Sequence, residues 1–399
     1  MTKIEKPLEE MTLEGMLKQL ININVGTPIP IITPEKLKAE LPITRESALT
    51  TLKSRRAQQK ILNREDNRFI MIAGPCSIHN YQGGIEFAEK YREITKPFED
   101  VFLFLNRTYF EKPRTSLGWK GLIFDPNLDG SYDIETGLRT ARKLGLEITK
   151  MEVPTGTEFL DKLVPQYIDD LISWAAIGAR TTESQPHREM ASGLSMPVGF
   201  KNSTSGDIEA AMNAIKASRG EQTFLGATSD GRYAKLPTLG NENTHIIVRG
   251  GNGKPHCNPD ELPCAIELLE QSGAAPSLVK YLKGQNGPNY TPEYIEQTTT
   301  LLEQAGLVPN IMVDCSHGNS RKDYKRQPGV LYNVLEQRIS NPNLIGAMME
   351  VNLIEGSQEF KYLQTDPRTL NPHQSITDAG ISLKTFKQVL ERGAEILAS

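Results

Sequence analysis

Short apolar runs alternate with amphipathic stretches from residue 69 to the end of the chain. The runs fall at residues 69–73 (FIMIA), 101–105 (VFLFL), 147–153 (EITKMEV), 175–179 (AAIGA), 197–200 (PVGF), 245–248 (HIIV), 311–313 (IMV) and 346–351 (GAMMEV). Most are too continuous for a half-exposed strand, so burial on both faces is expected, the pattern of parallel strands. The stretches between them read as helices. Residues 83–95 place Ile85, Ala88 and Tyr91 on one face, and residues 207–217 carry Ile208, Ala211, Met212 and Ile215 at helical spacing. Eight strand-then-helix units predict an α/β fold, a (β/α)8 TIM barrel, with a doubly wound open sheet as the alternative.

Three segments stand outside the eight units, and the expected organisation is an N-terminal extension (1–68) and a catalytic barrel (69–399) with insertions at about 223–244 and 252–290. In the extension, Thr44 is placed to cap a helix reaching Leu62, with Glu46 in its first turn and Arg55, Arg56 and Lys60 toward its end, as the helix dipole favours. Residues 223–244 read as two short strands around Ser229-Asp230-Gly231, an inserted β-hairpin. The 252–290 segment is rich in Gly, Pro and Asn around one expected helix at 259–271.

Composition narrows the setting. The 399 residues carry 49 acidic and 45 basic side chains, a net charge of −4, which argues against a nucleic-acid or membrane-surface partner. No run approaches the roughly 18 apolar residues of a membrane span. The N-terminus lacks the basic start and apolar stretch of a secretory signal, so a cytoplasmic protein is expected. Four cysteines (Cys76, Cys257, Cys264, Cys315) in a chain this long form no disulfide framework, consistent with a reducing compartment.

The charges that matter follow the apolar runs. Arg107, Lys112 and Arg114 follow the second, Arg180 the fourth, Lys201 the fifth and Arg249 the sixth. In a barrel these positions converge on the face that builds active sites. Six converging cations repel one another unless a polyanion occupies the space, and two phosphates with a carboxylate roughly balance them. Glu111 and Glu183 are alternative internal partners for two of the six. At the same face lie Cys76 after the first run, His317 after the seventh, Glu350 at the eighth, and Asp378 ahead of the last helix. A thiolate, an imidazole and two carboxylates suit a divalent transition metal, Mn²⁺, Fe²⁺, Co²⁺ or Zn²⁺. The four form no local metal motif, and each has a plain reading, such as Cys76 as a small buried hydrophobe. His79 lies near that face, whereas His187, His245, His256 and His373 have no evident partners. No dinucleotide fingerprint, Walker motif or nucleophile elbow is present.

Residues 74–79 (GPCSIH), 111–115 (EKPRT), 118–123 (GWKGLI), 178–185 (GARTTESQ), 197–202 (PVGFKN), 249–251 (RGG), 314–320 (DCSHGNS) and 375–379 (SITDA) together resemble the class I 3-deoxy-D-arabino-heptulosonate 7-phosphate (DAHP) synthases. The resemblance runs in order from about residue 50 to the end. It implies a metal-dependent transferase that condenses phosphoenolpyruvate with erythrose 4-phosphate at the entry to the shikimate pathway. It also implies Cys76, His317, Glu350 and Asp378 as metal ligands. Arg107, Lys112, Arg180, Lys201 and Arg249 would bind phosphoenolpyruvate, Arg114 and Thr115 would clamp the erythrose phosphate, and Lys112, His317 and Cys76 would be the catalytic positions. The extension and hairpin resemble the elements that form a feedback site for an aromatic amino acid, and a homodimer or homotetramer is expected. The chain departs from the family's usual pattern at Val351-Asn352 after Glu350, at Ser203-Thr204-Ser205, and in the length of 252–286. The competing readings are a 3-deoxy-octulosonate 8-phosphate synthase and a catalytically silent regulatory homologue.

Overall fold

Parallel pairing closes on itself in a computed structural model that describes residues 8–251, 271–273 and 287–399. The barrel strands are β1 (Phe69–Gly74), β2 (Phe102–Arg107), β3 (Thr155–Glu158), β4 (Trp174–Ile177) and β5 (Val198–Lys201). After a hairpin of β6 (Thr223–Ala227) and β7 (Tyr233–Pro237) come β8 (Thr244–Val248), β9 (Ile311–Asp314) and β10 (Leu344–Asn352). Each barrel strand pairs in parallel with the next, and β10 returns to β1, with Ile70 opposite Gly346 and Gly74 opposite Glu350. That last pairing separates a (β/α)8 barrel from an open sheet. A short β11 (Ile381–Ser382) continues beside the end of β10.

The barrel is filled by Ile70, Ile72, Leu103, Leu105, Trp174, Ile247, Met312 and Met348. Interior apolar side chains from successive strands make this a packed core and leave chemistry to the strand ends. One strand lies elsewhere than the apolar pattern placed it. Residues 147–150 are the last turn of a helix, Ile134–Lys150, started by Asp133, whose carboxylate accepts the Thr136 amide at 3.1 Å. The strand itself is Thr155-Gly156-Thr157-Glu158, polar yet buried. Its composition follows from its neighbour: a Cβ on Gly156 would stand 3.3 Å from the Trp174 ring. The Thr155 hydroxyl is satisfied by the Leu171 carbonyl at 2.5 Å.

Residues Met1–Ile32 and Thr33–Ser399 form two separate compact units. The first contains α1 (Leu13–Leu20), capped by Thr12, and exposes Leu13, Leu17 and Leu20. The second begins with α2 (Pro34–Glu40) and α3 (Arg45–Leu62). The Thr44 hydroxyl caps α3 by accepting the Ser47 amide at 3.2 Å. Ile61 and Leu62 join the barrel core, the Arg55 guanidinium donates to the Ile172 carbonyl, and the Gln58 amide to the Ser173 carbonyl. This helix therefore plugs the end of the barrel opposite the strand C-termini.

Among the described residues the remaining α-helices are α4 (Tyr81–Thr95), α5 (Ile134–Lys150), α6 (Val164–Ile168), α7 (Gln185–Gly193), α8 (Glu209–Arg219), α9 (Pro292–Gln304), α10 (Gln327–Arg338) and α11 (Leu383–Ala398). The hairpin pairs antiparallel, Thr223 opposite Pro237, around a turn with Gly231 at φ +86°. The helix expected at 259–271, apart from Gln271, and His256, Cys257 and Cys264 lie outside the described residues. Among the described residues no helix is long and apolar enough to cross a membrane.

Candidate active site

Close backbone approach brings the first two strand ends together. A Cβ on Gly74 would stand 2.8 Å from the Arg107 carbonyl. With that space closed, the buried Arg107 guanidinium donates from Nε to the Pro75 carbonyl at 3.1 Å and from Nη2 to Glu350 Oε1 at 3.1 Å. It also lies over the Tyr109 ring, 3.7 Å from its centroid. Because Gly74 and Glu350 are register partners, Cys76 and Glu350 emerge side by side. The loop carrying Asp378 is drawn in at Gly380, where a Cβ would stand 2.7 Å from the Glu350 carbonyl.

These approaches gather Cys76 Sγ and the Glu350 and Asp378 carboxylates, with ligand atoms all within 4.8 Å of one another. His317 falls outside that tight trio but beside it, Nε2 at 4.0 Å from Glu350 Oε1. Its backbone is left-handed, φ +54°, and its Nδ1 lies 2.9 Å from Asp314 Oδ2, leaving Nε2 as the ring nitrogen turned toward the trio. A carboxylate behind a histidine is the usual support for a metal-binding imidazole. A sulfur and carboxylate oxygens gathered together, with an imidazole nitrogen beside them, suit a divalent transition ion.

Electrostatics agree. Burial pushes the Cys76 thiol up, and the Glu350 and Asp378 charges push it further against the opposing pull of Lys112 and Arg107. A bound cation would reverse that push, because a coordinating thiol gives up its proton. Burial also works against the Asp378 carboxylate, but Lys112 and His317 outweigh it and hold it below the usual range. The same contest leaves Asp314, buried beside His317 and Lys201, well below that range.

The strand-end cations share this basin. Lys112 Nζ donates to Cys76 Sγ at 3.1 Å and to the Cys76 carbonyl at 3.2 Å. Lys201 Nζ donates to Asp314 Oδ2 at 2.7 Å, both groups buried. Arg249 is buried, and desolvation lowers its guanidinium from the ordinary arginine value, with the Arg180 charge acting in the same direction. The Arg180 charge also bears on Arg114, whose Nε donates to the Trp119 carbonyl at 2.6 Å. Arg114, Thr115 and Arg180 are exposed.

The balance of charge differs from the simple count of six. Arg107 and Lys201 are already paired, with Glu350 and Asp314. Glu111, an expected carboxylate partner for a cation, instead accepts the backbone amides of Leu160 at 3.2 Å and Asp161 at 2.9 Å. Burial pushes its carboxyl up to about 8 in spite of those bonds.

Three histidines have partners the sequence did not reveal. His187 sits between the Ser184 hydroxyl and the Leu160 carbonyl, both at 2.8 Å, His245 accepts from Trp174 Nε1 at 3.2 Å, and His373 Nε2 meets Glu86 at 2.6 Å. His79 is buried, with its imidazole pushed down to about 4 by desolvation, and takes no part in the trio. Asp314 and Gln327 are the support residues that sequence reasoning missed. Gln327 Oε1 accepts the Glu350 amide at 2.8 Å while its Nε2 donates to the Glu350 carbonyl at 3.1 Å, contacts to backbone that no side-chain pattern announces.

A second cavity, about 820 Å³, lies away from these residues, between the loop after β3, α6, the end of α7 and the hairpin. Leu160, Gln166, Ser192, Leu194, Phe224 and Leu236 are among its walls, a mainly apolar lining with a few polar groups.

The chain matches the model of the DAHP synthetase I family over residues 41–281 and 279–391. It is 42% identical to the Tyr-sensitive phospho-2-dehydro-3-deoxyheptonate aldolase of Escherichia coli K12, covering 91% of this chain and 92% of that one. It is 40% identical to the Trp-sensitive enzyme of the same organism, covering 91% and 93%. The tyrosine-inhibited enzyme of Schizosaccharomyces pombe is 39% identical, covering 92% and 90%. Among solved structures, phospho-2-dehydro-3-deoxyheptonate aldolase from Francisella tularensis superposes with a TM-score of 0.83 at 39% identity, covering 94% of this chain and 99% of that one.

Proposed function

This chain belongs to the DAHP synthetase I family, and from that premise we propose how its strand-end basin performs the family's reaction. Phosphoenolpyruvate, erythrose 4-phosphate and water give 3-deoxy-D-arabino-heptulosonate 7-phosphate and inorganic phosphate, the first step of the shikimate pathway. The observation that carries the reading is the Cys76–Glu350–Asp378 trio sharing one basin with Lys112 and the buried Arg249. Arg107, Lys112, Arg180, Lys201 and Arg249 hold the phosphate and carboxylate of phosphoenolpyruvate, and Arg114 and Thr115 hold the phosphate of the aldose. Fixing two mutually repelling anions in reacting geometry removes much of the entropic cost of their encounter. Carbon 3 of phosphoenolpyruvate then bonds to the aldehyde carbon, and Lys112 gives its proton to the aldehyde oxygen. Water adds at carbon 2, the C–O bond to phosphate breaks to leave the ketone, and of the two protons from water one departs with phosphate and the other restores Lys112. Cys76, His317, Glu350 and Asp378 would hold a divalent ion, Mn²⁺, Fe²⁺, Co²⁺ or Zn²⁺, whose Lewis acidity polarises a reacting oxygen.

Phosphate release is the direct assay. With metal added back, release is expected to require erythrose 4-phosphate. Release supported by arabinose 5-phosphate alone overturns the choice of acceptor, and no release with either overturns the enzymatic reading.

We further propose that the 820 Å³ cavity receives an aromatic amino acid effector, and that the protein works as a cytoplasmic homodimer or homotetramer. The cavity's size and apolar walls suit an aromatic side chain. Three relatives carry tyrosine or tryptophan sensitivity in their names. Leu194→Trp should fill the space. Inhibition by tyrosine, phenylalanine or tryptophan is expected in the parent and lost in this variant, with kcat within about twofold. Inhibition retained at the same effector concentration places the effector elsewhere.

A further inference from the structure

The turn that carries Arg249 has almost no freedom of its own, and three buried asparagines from three different segments account for this. Asn202 follows β5, Asn289 precedes α9, and Asn319 follows β9. Asn202 Oδ1 accepts the Arg249 amide at 2.7 Å, and its Nδ2 donates to the Gly250 carbonyl at 3.3 Å. Asn289 Oδ1 accepts the Gly250 amide at 2.7 Å. Asn319 Nδ2 donates to the Val248 carbonyl at 3.1 Å, and its amide donates to the Arg249 carbonyl at 3.2 Å. Five successive polar groups of the backbone, from the Val248 carbonyl to the Gly250 carbonyl, each meet one of the three.

The asparagines also hold one another. Asn289 Nδ2 donates to Asn202 Oδ1 at 3.2 Å, and the Asn289 amide donates to Asn319 Oδ1 at 2.8 Å. Asn319 Nδ2 reaches the Asp314 carbonyl at 2.9 Å, which ties the network to the turn bearing His317. The space is close-packed as well as bonded. Gly250 has φ +72°, and a Cβ there would stand 2.6 Å from Gly318 backbone.

From this we propose that Asn289, through Asn202 and Asn319, is a positioning residue that sets the Arg249 guanidinium for the anionic substrate. The inference rests on the reading of Arg249 as a phosphoenolpyruvate-binding cation. Among the described residues Asn289 supplies the one side chain that bonds both the Gly250 amide and the amide oxygen holding Arg249. A chain turn followed by a glycine needs such outside support, because glycine tolerates many conformations, and a misplacement of about 1 Å at a binding group can cost on the order of 100-fold. The contact is to a binding cation held alike in ground and transition states, so its loss should appear in KM and leave kcat largely untouched.

The test compares Asn289→Ala, Asn289→Asp, Arg249→Ala and Asn310→Ala in the full-length, metal-loaded enzyme. Asn289→Asp is near-isosteric and keeps the acceptor for Gly250 while losing the donor to Asn202, so it serves should the alanine variant not fold. Asn310 is an equally buried asparagine at the opposite end of the barrel, bonded to the Leu62 carbonyl. Both Asn289 variants are expected to raise KM for phosphoenolpyruvate by about tenfold. Their KM for erythrose 4-phosphate and their kcat should stay within about twofold, while Asn310→Ala should lower Tm without that split. An unchanged KM for phosphoenolpyruvate in a folded Asn289 variant overturns the inference, provided Arg249→Ala raises it. A parallel fall of all parameters, matching Asn310→Ala, also overturns it. If Arg249→Ala itself leaves that KM unchanged, the underlying reading of Arg249 is what fails.

Discussion

Lys112→Met is expected to lower kcat by about 10²- to 10⁴-fold while leaving phosphoenolpyruvate binding partly intact. Methionine keeps most of the length and apolar volume of the lysine stem and removes the ammonium. On the proposed assignment Arg107, Arg180, Lys201 and Arg249 remain to hold the substrate's phosphate and carboxylate, so an equilibrium titration should still detect binding. What disappears is the proposed proton donor on the strand-end loop, an ammonium bonded to the Cys76 carbonyl and sulfur. The loop itself is fixed independently, because the Lys112 amide donates to the Lys120 carbonyl at 2.9 Å. The substitution therefore tests the side chain alone. Metal content must be measured on the same sample, since Lys112 also opposes the upward push on the Cys76 thiol. A variant with parental metal content and near-normal kcat refutes the proton role.

The order of strands and helices was legible because parallel barrel strands are buried on both faces and read as apolar runs. β1 and β10 illustrate this, with every residue buried. β3 was not legible for the same reason turned round. Its partner strand carries Trp174, which fills the barrel at that level, so β3 is built from Thr, Gly and Glu and its apolar signal is absent. The run at 147–153 stood in for it, although Ile148 faces the core from a helix. The site shows a parallel division. Residue types with few ordinary reasons to gather at strand ends, such as Cys76, Arg107 and Glu350, stood out in the sequence. Their pairing did not, because Arg107 meets Glu350 across 243 residues. The supports were invisible. Asn289, Asn319 and Gln327 act through backbone groups, and buried asparagine or glutamine carries no pattern that separates such work from a surface turn.

Cys76→Ala is expected to yield protein without bound divalent metal after desalting, and without turnover. The trio would lose its only sulfur donor, and two carboxylates with an imidazole form a weaker, harder site that exchanges its ion. Loss of the proposed ligand should exceed the 10- to 100-fold loss in metal affinity typical of removing a group that only holds a ligand in place. The fold should survive, because Arg107 remains bonded to the Pro75 carbonyl and Glu350, and Gln327 still holds both backbone groups of Glu350. A parental Tm in the metal-free state, measured beside the metal-free parent, would separate loss of ligation from loss of structure. Cys76→Ser sharpens the argument. It restores an acceptor for Lys112 Nζ but offers an oxygen where the parent has sulfur, so recovery of packing without recovery of metal is expected. Reconstitution with Co²⁺ adds a signature independent of catalysis, since only the parent can show a thiolate-to-cobalt absorption band. A fully metallated, active Cys76→Ala enzyme refutes ligation by this residue. It would leave His317 Nε2, 4.0 Å from Glu350, and Asp378 as the donors to be tested in its place.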